Sequence, residues 1–167
     1  MKELKKDKEF YTVRGYQILN AESKLLTSSM EDYLEMIYRI CIEEDYVRIN
    51  QLAKKLNVRP PSATKIVQKL NRLGLVAYQR YGIVQLTKEG EEIGKFLLKR
   101  HIIIDEFLKN LGIEETRLKD TEMIEHDISL NTLESIYLLN KFLAMNPYIL
   151  KKYYIFKEKF SEDMQIF

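Results

Sequence analysis

Cysteine is nearly absent from this sequence of 167 residues, because Cys41 is the only one. One thiol cannot form a disulfide framework or a cysteine-based zinc site. Cys41 falls on the apolar face of a predicted helix, so we expect it in the core. No apolar run approaches the ~20 residues needed to cross a bilayer, and residues 1–10 lack the apolar segment of a signal peptide. We therefore expect a cytoplasmic protein that does not contact a membrane.

Turn-forming residues are also few. The sequence holds six glycines and three prolines, which is too few for an architecture of many short strands and tight turns. Hydrophobic residues make up 46% of the sequence, enough to bury a core and to argue against wholesale disorder. These proportions favour a mostly helical, folded chain of one large or two small domains.

Acidic residues are missing from one long segment. Between Tyr46 and Lys88 there is no Asp or Glu, while nine Lys and Arg residues give this segment a charge of +9. The rest of the chain holds 18 basic and 25 acidic residues, a charge of −7. A merely soluble surface mixes both signs. A basic segment in an otherwise acidic chain therefore indicates a surface that binds a polyanion.

A first helix is predicted just before this basic segment. Apolar residues recur at helical spacing over 28–44. Ser28 and Glu31 fit a capping box at the start of this helix. Residues 1–27 show no clear periodicity, and we treat them as an N-terminal extension of unassigned structure.

Two short helices follow within the basic segment. Apolar spacing predicts one over residues 49–56. Pro60 and Pro61 suit the first turn of the next helix, where a missing N–H costs nothing, and Gly74 suits its end. Two short helices joined by a tight turn indicate a helix-turn-helix.

The composition changes to β type over residues 75–86, around Gly82. This change predicts a two-stranded hairpin, the wing of a winged helix. Thr87 then caps a long helix that runs to about Leu111. Further helices are predicted over about 114–126, over 130–145 and after Asn146-Pro147. The predicted fold is mostly α: an N-terminal winged helix-turn-helix with a two-stranded wing, followed by an all-helical domain.

The exposed face of the third helix would read DNA if this helix enters a major groove. Residues near its N-terminus reach base edges, and later Lys and Arg residues bind phosphate. Gln68 can bond adenine with both amide atoms. At the wing, Arg80 and Tyr81 are candidates for phosphate or minor-groove contacts. The full set of candidates is Arg59, Pro61, Ser62, Thr64, Lys65, Gln68, Lys69, Arg72, Arg80 and Tyr81.

Carboxylates and histidines form a second pattern. Glu122, Glu125 and His126 are spaced so that one face of a helix would carry all three. Asp32 and Glu35 stand one turn apart on the first helix. Oxygen and nitrogen donors without a thiolate favour Mn(II), Fe(II), Co(II) or Zn(II). Taken alone, each group also fits an ordinary solvated helix face.

Residues from about 28 to 145 resemble the diphtheria-toxin-repressor family, in particular its manganese-transport-regulator branch. The order and spacing of five stretches carry the resemblance. They are Ser29-Met-Glu-Asp-Tyr-Leu-Glu-Met-Ile-Tyr, Pro60-Pro-Ser-Ala-Thr-Lys-Ile-Val-Gln-Lys-Leu, Leu86-Thr-Lys-Glu-Gly, Lys99-Arg-His and Ile124-Glu-His-Asp-Ile-Ser.

The resemblance implies a binuclear metal site. In the manganese branch, the matching positions supply ligands, and the iron-sensing branch has Met at the position of Asp32 and Cys at that of Glu125. The harder oxygen donors imply manganese(II) here, with iron(II), cobalt(II) or zinc(II) as alternatives. The implied ligands are Asp32, Glu35, His101, Glu122, Glu125 and His126.

The resemblance also implies a homodimer that represses transcription by binding a double-stranded DNA operator, without an organic ligand and without enzymatic activity. The helices after His101 would form the dimer interface. Their surplus apolar residues include Leu133, Ile136, Tyr137 and Leu139. The implied organisation is an extension (1–27), a DNA-binding domain (28–90) and a metal-binding and dimerisation domain (91–167).

Three other interpretations remain open from the residues alone. A winged-helix regulator could sense an organic ligand instead of a metal. A carboxylate-bridged metalloenzyme uses similar donors, although its usual Glu-x-x-His spacing on two helices is absent here. A helical interaction module is the third, and the acid-free segment argues against it.

Overall fold

The computed structural model describes residues 26–161, which contain seven α-helices and three short strands. The chain divides into two compact units, the first ending at Lys99 and the second beginning at Arg100. Over residues 26–161, no helix combines the length and apolar character needed to span a bilayer.

Helix α1, Ser28–Glu44, has the predicted bounds. It buries an apolar stripe that includes Tyr33, Leu34 and Ile37. Its N-cap is Thr27, whose hydroxyl oxygen accepts the N–H of Met30 at 3.4 Å. The predicted capping box of Ser28 and Glu31 is wrong, because Ser28 is already the first residue inside the helix.

Cys41, on α1, is half-buried rather than part of the core. It lines a cleft of about 430 Å³ together with Tyr38 and Leu86. The prediction of a core cysteine is wrong because the side chain lies at the border of the apolar stripe, beside the exposed Ile42. Burial raises the pKa of its thiol, and nearby Asp45 and Glu44 add to the rise.

The helix-turn-helix consists of α2, Ile49–Lys55, and α3, Pro60–Arg72. Asn57 turns the chain between them with a positive φ of 52°. Both prolines lie in the first turn of α3, where neither interrupts a helical hydrogen bond. Beyond α3, Gly74 has a φ of 73°, and the N–H of Leu75 donates to the carbonyl of Leu70 at 3.0 Å. This left-handed glycine ends the helix as predicted.

The sheet of the first unit has one strand more than the predicted hairpin. Strands β2, Val76–Tyr78, and β3, Ile83–Leu86, pair antiparallel as expected, with Ala77 opposite Gln85. Strand β1, Val47–Arg48, pairs with the other edge of β3 and gives the order β1-β3-β2. Two residues are too short for an alternating pattern, so no sequence pattern indicates β1.

Helix α4, Lys88–Asn110, begins where Thr87 bonds back to the turn before the sheet. The Thr87 hydroxyl accepts the N–H of Gly90 at 3.1 Å and donates to the carbonyl of Gly74 at 2.7 Å. Any side chain at Gly90 would overlap the carbonyl of Leu75. The start of α4 therefore packs directly against the backbone of the first unit.

The second unit contains the end of α4 together with α5, Arg117–Glu125, α6, Leu130–Met145, and α7, Pro147–Ser161. Helix α5 starts about three residues later than predicted, because Gly112 turns the chain with a φ of 68° and Thr116 takes the N-cap position. The buried amide of Asn140 on α6 donates to the Ile103 carbonyl at 2.9 Å and accepts from Asn110 at 3.1 Å. Helix α7 is fixed to the end of α4, where Lys157 donates to the carbonyls of Leu111 and Gly112 at 2.6 and 3.0 Å.

Candidate metal centre and nucleic-acid interface

The basic segment forms one exposed surface of the first unit. Of the ten residues predicted to contact DNA, nine are exposed, and they lie at the start of α3, along its outer face and at the tip of the wing. Thr64 differs, since it is half-buried and its hydroxyl donates to the Pro60 carbonyl at 3.0 Å. The buried side of α3 is formed by Ala63, Val67 and Leu70, so the polar face points outward.

The wing tip has an unusual backbone. Tyr81 lies in a single 3₁₀ turn, Arg80–Gly82, with a φ of 64°, and its side chain is 91% exposed. A left-handed tyrosine is uncommon and stores strain. An aromatic ring held in solvent beside an arginine suits contact with a DNA backbone or groove.

One residue that the sequence analysis missed joins α3 to the wing. The side-chain carbonyl of Asn71 accepts the backbone N–H of Tyr78 at 3.0 Å. The bond joins the last turn of α3 to strand β2, the two elements that carry the predicted DNA contacts. Asn71 and Tyr78 lie seven positions apart in the sequence, and no local sequence pattern indicates a hydrogen bond between them.

Three of the predicted metal donors meet inside the second unit. His101 lies on α4, Glu125 is the last residue of α5, and His126 follows it. The Nδ1 atom of His101 is 2.9 Å from Oε2 of Glu125, and Nε2 of His126 is 3.9 Å from Oε1 of the same carboxylate. Glu125 is only 2% exposed. A buried carboxylate between two imidazoles is a nitrogen and oxygen donor set suited to a divalent cation.

The same helices are held together by a nearby ion pair. Arg117 at the start of α5 donates to Asp105 of α4 at 2.9 Å and to Glu114 at 3.0 Å. Thr121, one turn further along α5, is fully buried. These contacts hold α5 against α4 and so bring Glu125 to His101.

Glu122 differs from its two predicted partners. It lies on α5 one turn before Glu125, but its side chain is exposed. The spacing places Glu122 and Glu125 on neighbouring positions of the helix surface, while the packing of α5 buries only the second. The sequence pattern could not separate them, because burial depends on where α4 lies.

The remaining two predicted donors belong to α1 in the first unit. Asp32 is exposed and Glu35 is buried, one helical turn apart. Arg39, one turn beyond Glu35, donates to Glu35 Oε1 from Nε at 2.9 Å and from Nη2 at 2.6 Å. Arg39 was not among the predicted site residues, although a Glu four residues before an Arg on a helix is a recognised pairing signal.

A second arginine lies beside the donors of the second unit. Arg100 is buried, and its Nη2 atom is 3.5 Å from Nδ1 of His126. The two residues are 26 positions apart, so the contact depends on the fold and has no local signature in the sequence.

A winged helix with an acid-free outer face and a helical unit with two half-buried histidines around a buried carboxylate together define a metal-responsive DNA-binding regulator. Two family profiles match the chain. Residues 25–84 match the profile described as "Iron dependent repressor, N-terminal DNA binding domain", and residues 87–153 match "Iron dependent repressor, metal binding and dimerisation domain". The chain belongs to the iron-dependent repressor family.

Individual relatives agree with this assignment. The chain is 41% identical over 127 residues to an HTH-type transcriptional regulator MntR of Lysinibacillus sphaericus, covering 75% of this chain and 91% of the relative. It is 44% identical over 111 residues to the protein of that name from Shouchella clausii, covering 66% and 78%. A solved structure titled as the manganese regulator SloR has a TM-score of 0.59 and 29% identity, over 69% of this chain and 53% of that one.

The family membership confirms the fold class predicted from the sequence. The chain is a metal-dependent, DNA-binding transcriptional repressor of metal homeostasis that forms a homodimer. Its family consists of transcriptional regulators, so it is not an enzyme.

Proposed function

We propose that this repressor responds to manganese(II) and binds it in a binuclear site. Its relatives of known structure include one titled as a manganese regulator. The observation that carries the proposal is the buried Glu125 carboxylate 2.9 Å from the His101 imidazole. The six proposed ligands are Asp32, Glu35, His101, Glu122, Glu125 and His126.

The chemistry of the donors supports manganese. Four of the six side chains are carboxylates, two are imidazoles, and none carries sulfur. Oxygen-rich sites suit manganese(II), whereas thiolate and thioether ligands select copper(I), zinc or iron–sulfur clusters. Iron(II), cobalt(II) and zinc(II) bind the same types of donor. We therefore propose manganese(II) as the first choice and these three ions as alternatives.

The carboxylates also explain why the metal acts as a switch. Two like charges about 4 Å apart cost roughly 1 kcal/mol in water and about 4 kcal/mol at an effective dielectric near 20. Asp32 and Glu35 on α1 therefore resist approach to Glu122 and Glu125 unless divalent cations offset the charge. We propose that this offset fixes the DNA-binding domain (28–90) relative to the metal-binding and dimerisation domain (91–167).

The DNA contacts follow from the exposed face of the first unit. We propose that the start of α3 reads base edges in a major groove, while its later Lys and Arg residues and the wing bind phosphate. In a homodimer, two such helices would meet half-sites about 34 Å apart. The proposed contacts are Arg59, Pro61, Ser62, Thr64, Lys65, Gln68, Lys69, Arg72, Arg80 and Tyr81.

The dimer interface is proposed on α6 and α7. Leu133, one of the apolar residues expected there, is buried within its own unit. Other large apolar side chains of these helices remain exposed, up to 81% for Met145. A contiguous exposed apolar surface marks a protein interaction site. The exposed set is Leu138, Leu139, Phe142, Met145, Tyr148, Ile155, Phe156 and Phe160.

The cytoplasm is the proposed location, because the operator is chromosomal DNA. Metal is the proposed effector, with no organic ligand and no membrane partner. If DNA binding were stimulated by a small organic molecule in the presence of chelator, this part of the proposal would be wrong.

A DNA-binding titration tests the function. Fluorescence anisotropy of a duplex from the protein's own promoter region is measured with Mn(II), with other divalent ions and with chelator, using a scrambled duplex as the control. Coupling between two sites of 1–3 kcal/mol predicts that Mn(II) tightens operator binding about 5–150-fold. Equal affinity with Mn(II) and with chelator would contradict the proposal.

A further inference from the structure

Arg39 binds a proposed metal ligand within the first unit. Its guanidinium donates two hydrogen bonds to a single oxygen of Glu35, at 2.6 and 2.9 Å. The Glu35 side chain is 10% exposed and that of Arg39 37% exposed. Arginine stays protonated at all relevant pH values. A fixed positive charge on Arg39 therefore lies against the same carboxylate that the metal would use.

Arg100 has a corresponding position in the second unit. Its Nη2 atom lies 3.5 Å from Nδ1 of His126, and the residue is 5% exposed. Guanidinium groups only donate hydrogen bonds, so the imidazole nitrogen must turn its lone pair toward Arg100. The nitrogen of His126 that faces the Glu125 carboxylate is the other one, Nε2, so the positive charge of Arg100 lies beside an imidazole that the metal would use.

We propose that the positive charges of Arg39 and Arg100 weaken binding of the metal ion at Glu35 and His126, and thereby set the metal concentration at which the repressor responds. The inference rests on the proposed metal site. Each arginine weakens metal binding through its charge, and Arg39 has the larger effect because its contact is shorter and doubled.

Two opposing effects decide the direction for Arg39. Its two bonds hold the Glu35 side chain in one rotamer, which favours metal binding by reducing the entropy lost. Its charge repels a doubly charged ion bound to the same carboxylate, and this repulsion persists even when water screens part of it. We expect the repulsion to be larger, because only one side chain is ordered by the pair.

The alternative is that Arg39 and Glu35 form an ordinary i, i+4 pair that stabilises α1. Such pairs contribute little at a helix surface. This alternative predicts a small loss of thermal stability on removal of Arg39 and no change in metal affinity. The two explanations therefore differ in whether removal of Arg39 changes the affinity for Mn(II).

The experiment compares Arg39→Gln and Arg100→Gln with the wild-type protein. Arg48→Gln is the control, because it removes one positive charge from the first unit at an exposed residue of β1 that belongs to neither proposed site. The dissociation constant for Mn(II) is measured on the full-length protein without DNA, from the electron paramagnetic resonance signal of free Mn(II). Thermal unfolding without metal shows whether each variant is folded.

We expect Arg39→Gln to bind Mn(II) about tenfold more tightly, equivalent to 1.4 kcal/mol. Arg100→Gln should tighten binding by a smaller factor, about threefold. Arg39→Lys, which keeps the charge, should remain within about twofold of the wild type. Arg48→Gln should leave the affinity unchanged.

Unchanged or weaker Mn(II) binding by a folded Arg39→Gln protein would overturn the inference and leave the proposed metal site standing. If Arg39→Gln does not fold, Arg39→Met and Arg39→Lys provide the same comparison of charge at similar side-chain length. Failure of the wild-type protein to bind Mn(II) would instead contradict the proposed function itself.

Discussion

The two units of this repressor place their functional charges differently. The first unit exposes Lys and Arg residues on α3 and the wing, each surrounded by solvent. The second unit buries Glu125 at 2% exposure between His101 and His126. Exposed charges that meet phosphate act nearly independently, and salt screens them. Buried donors act in a medium of lower dielectric, so the loss of one changes the others.

Because of this difference, DNA binding and metal binding should respond differently to mutation. A surface of many basic side chains loses affinity for DNA in small steps as these side chains are removed. A cluster built around one shared carboxylate is expected to lose its function in a single step.

Glu125→Gln should remove the metal response. The amide keeps the size of the side chain and a bond to His101, but it has no negative charge for a divalent ion. Mn(II) is expected to tighten operator binding of the wild-type protein about 5–150-fold, and this stimulation should disappear in the variant. Operator binding in the presence of chelator should stay as in the wild type. Anisotropy titrations measure both quantities.

Glu106→Gln is the matched control, since Glu106 is an exposed acid on α4 that is not a proposed ligand. Full stimulation of the Glu125→Gln protein by Mn(II) would show that the buried carboxylate does not bind the metal.

Asn140→Ala should destabilise the second unit. The change removes the donor of a buried hydrogen bond to the Ile103 carbonyl and the acceptor of a part-buried hydrogen bond from Asn110. Leaving a buried polar group without its partner costs about 1–3 kcal/mol. The free energy of unfolding is measured by urea denaturation followed by circular dichroism. Ser135→Ala, an exposed α6 residue bonded to its own helix, serves as the control, and equal stabilities of the two variants would contradict the prediction.

Lys65→Ala should have the smallest effect, spread over all DNA sequences. Lys65 is exposed on the outer face of α3, where one lost phosphate contact lowers the slope of log affinity against log salt by about one unit. Binding of operator and scrambled duplexes is compared over a salt series. A loss confined to the operator would reassign Lys65 to base recognition.

Much of the fold followed from local patterns. The start of α1 is fixed by a run of Thr and Ser before an apolar stripe, and α3 starts at two prolines where only a first turn tolerates them. Gly74 ends α3 because a left-handed residue is needed there. Strand β1 was not predicted, because its two residues form a strand only by pairing with β3. Their partners on β3 lie at least 35 positions further along the chain.

The sequence predicts which residues form the candidate metal site better than it predicts how these residues are arranged. Spacing alone groups Glu122 with Glu125, yet packing against α4 buries only Glu125. Arg39 was within reach of sequence reasoning, since it stands four residues after Glu35 on one helix. Arg100 was not, because its neighbour His126 comes from another helix 26 residues away. Contacts between helices depend on tertiary packing, which local periodicity does not encode.

Diffraction from crystals grown with excess Mn(II), recorded at a wavelength where manganese scatters anomalously, tests the central claim most directly. We expect two anomalous peaks per chain, with His101, Glu125 and His126 among the ligands and Asp32, Glu35 and Glu122 completing the set. Crystals that diffract well but show no manganese beside the His101–Glu125 pair would contradict it.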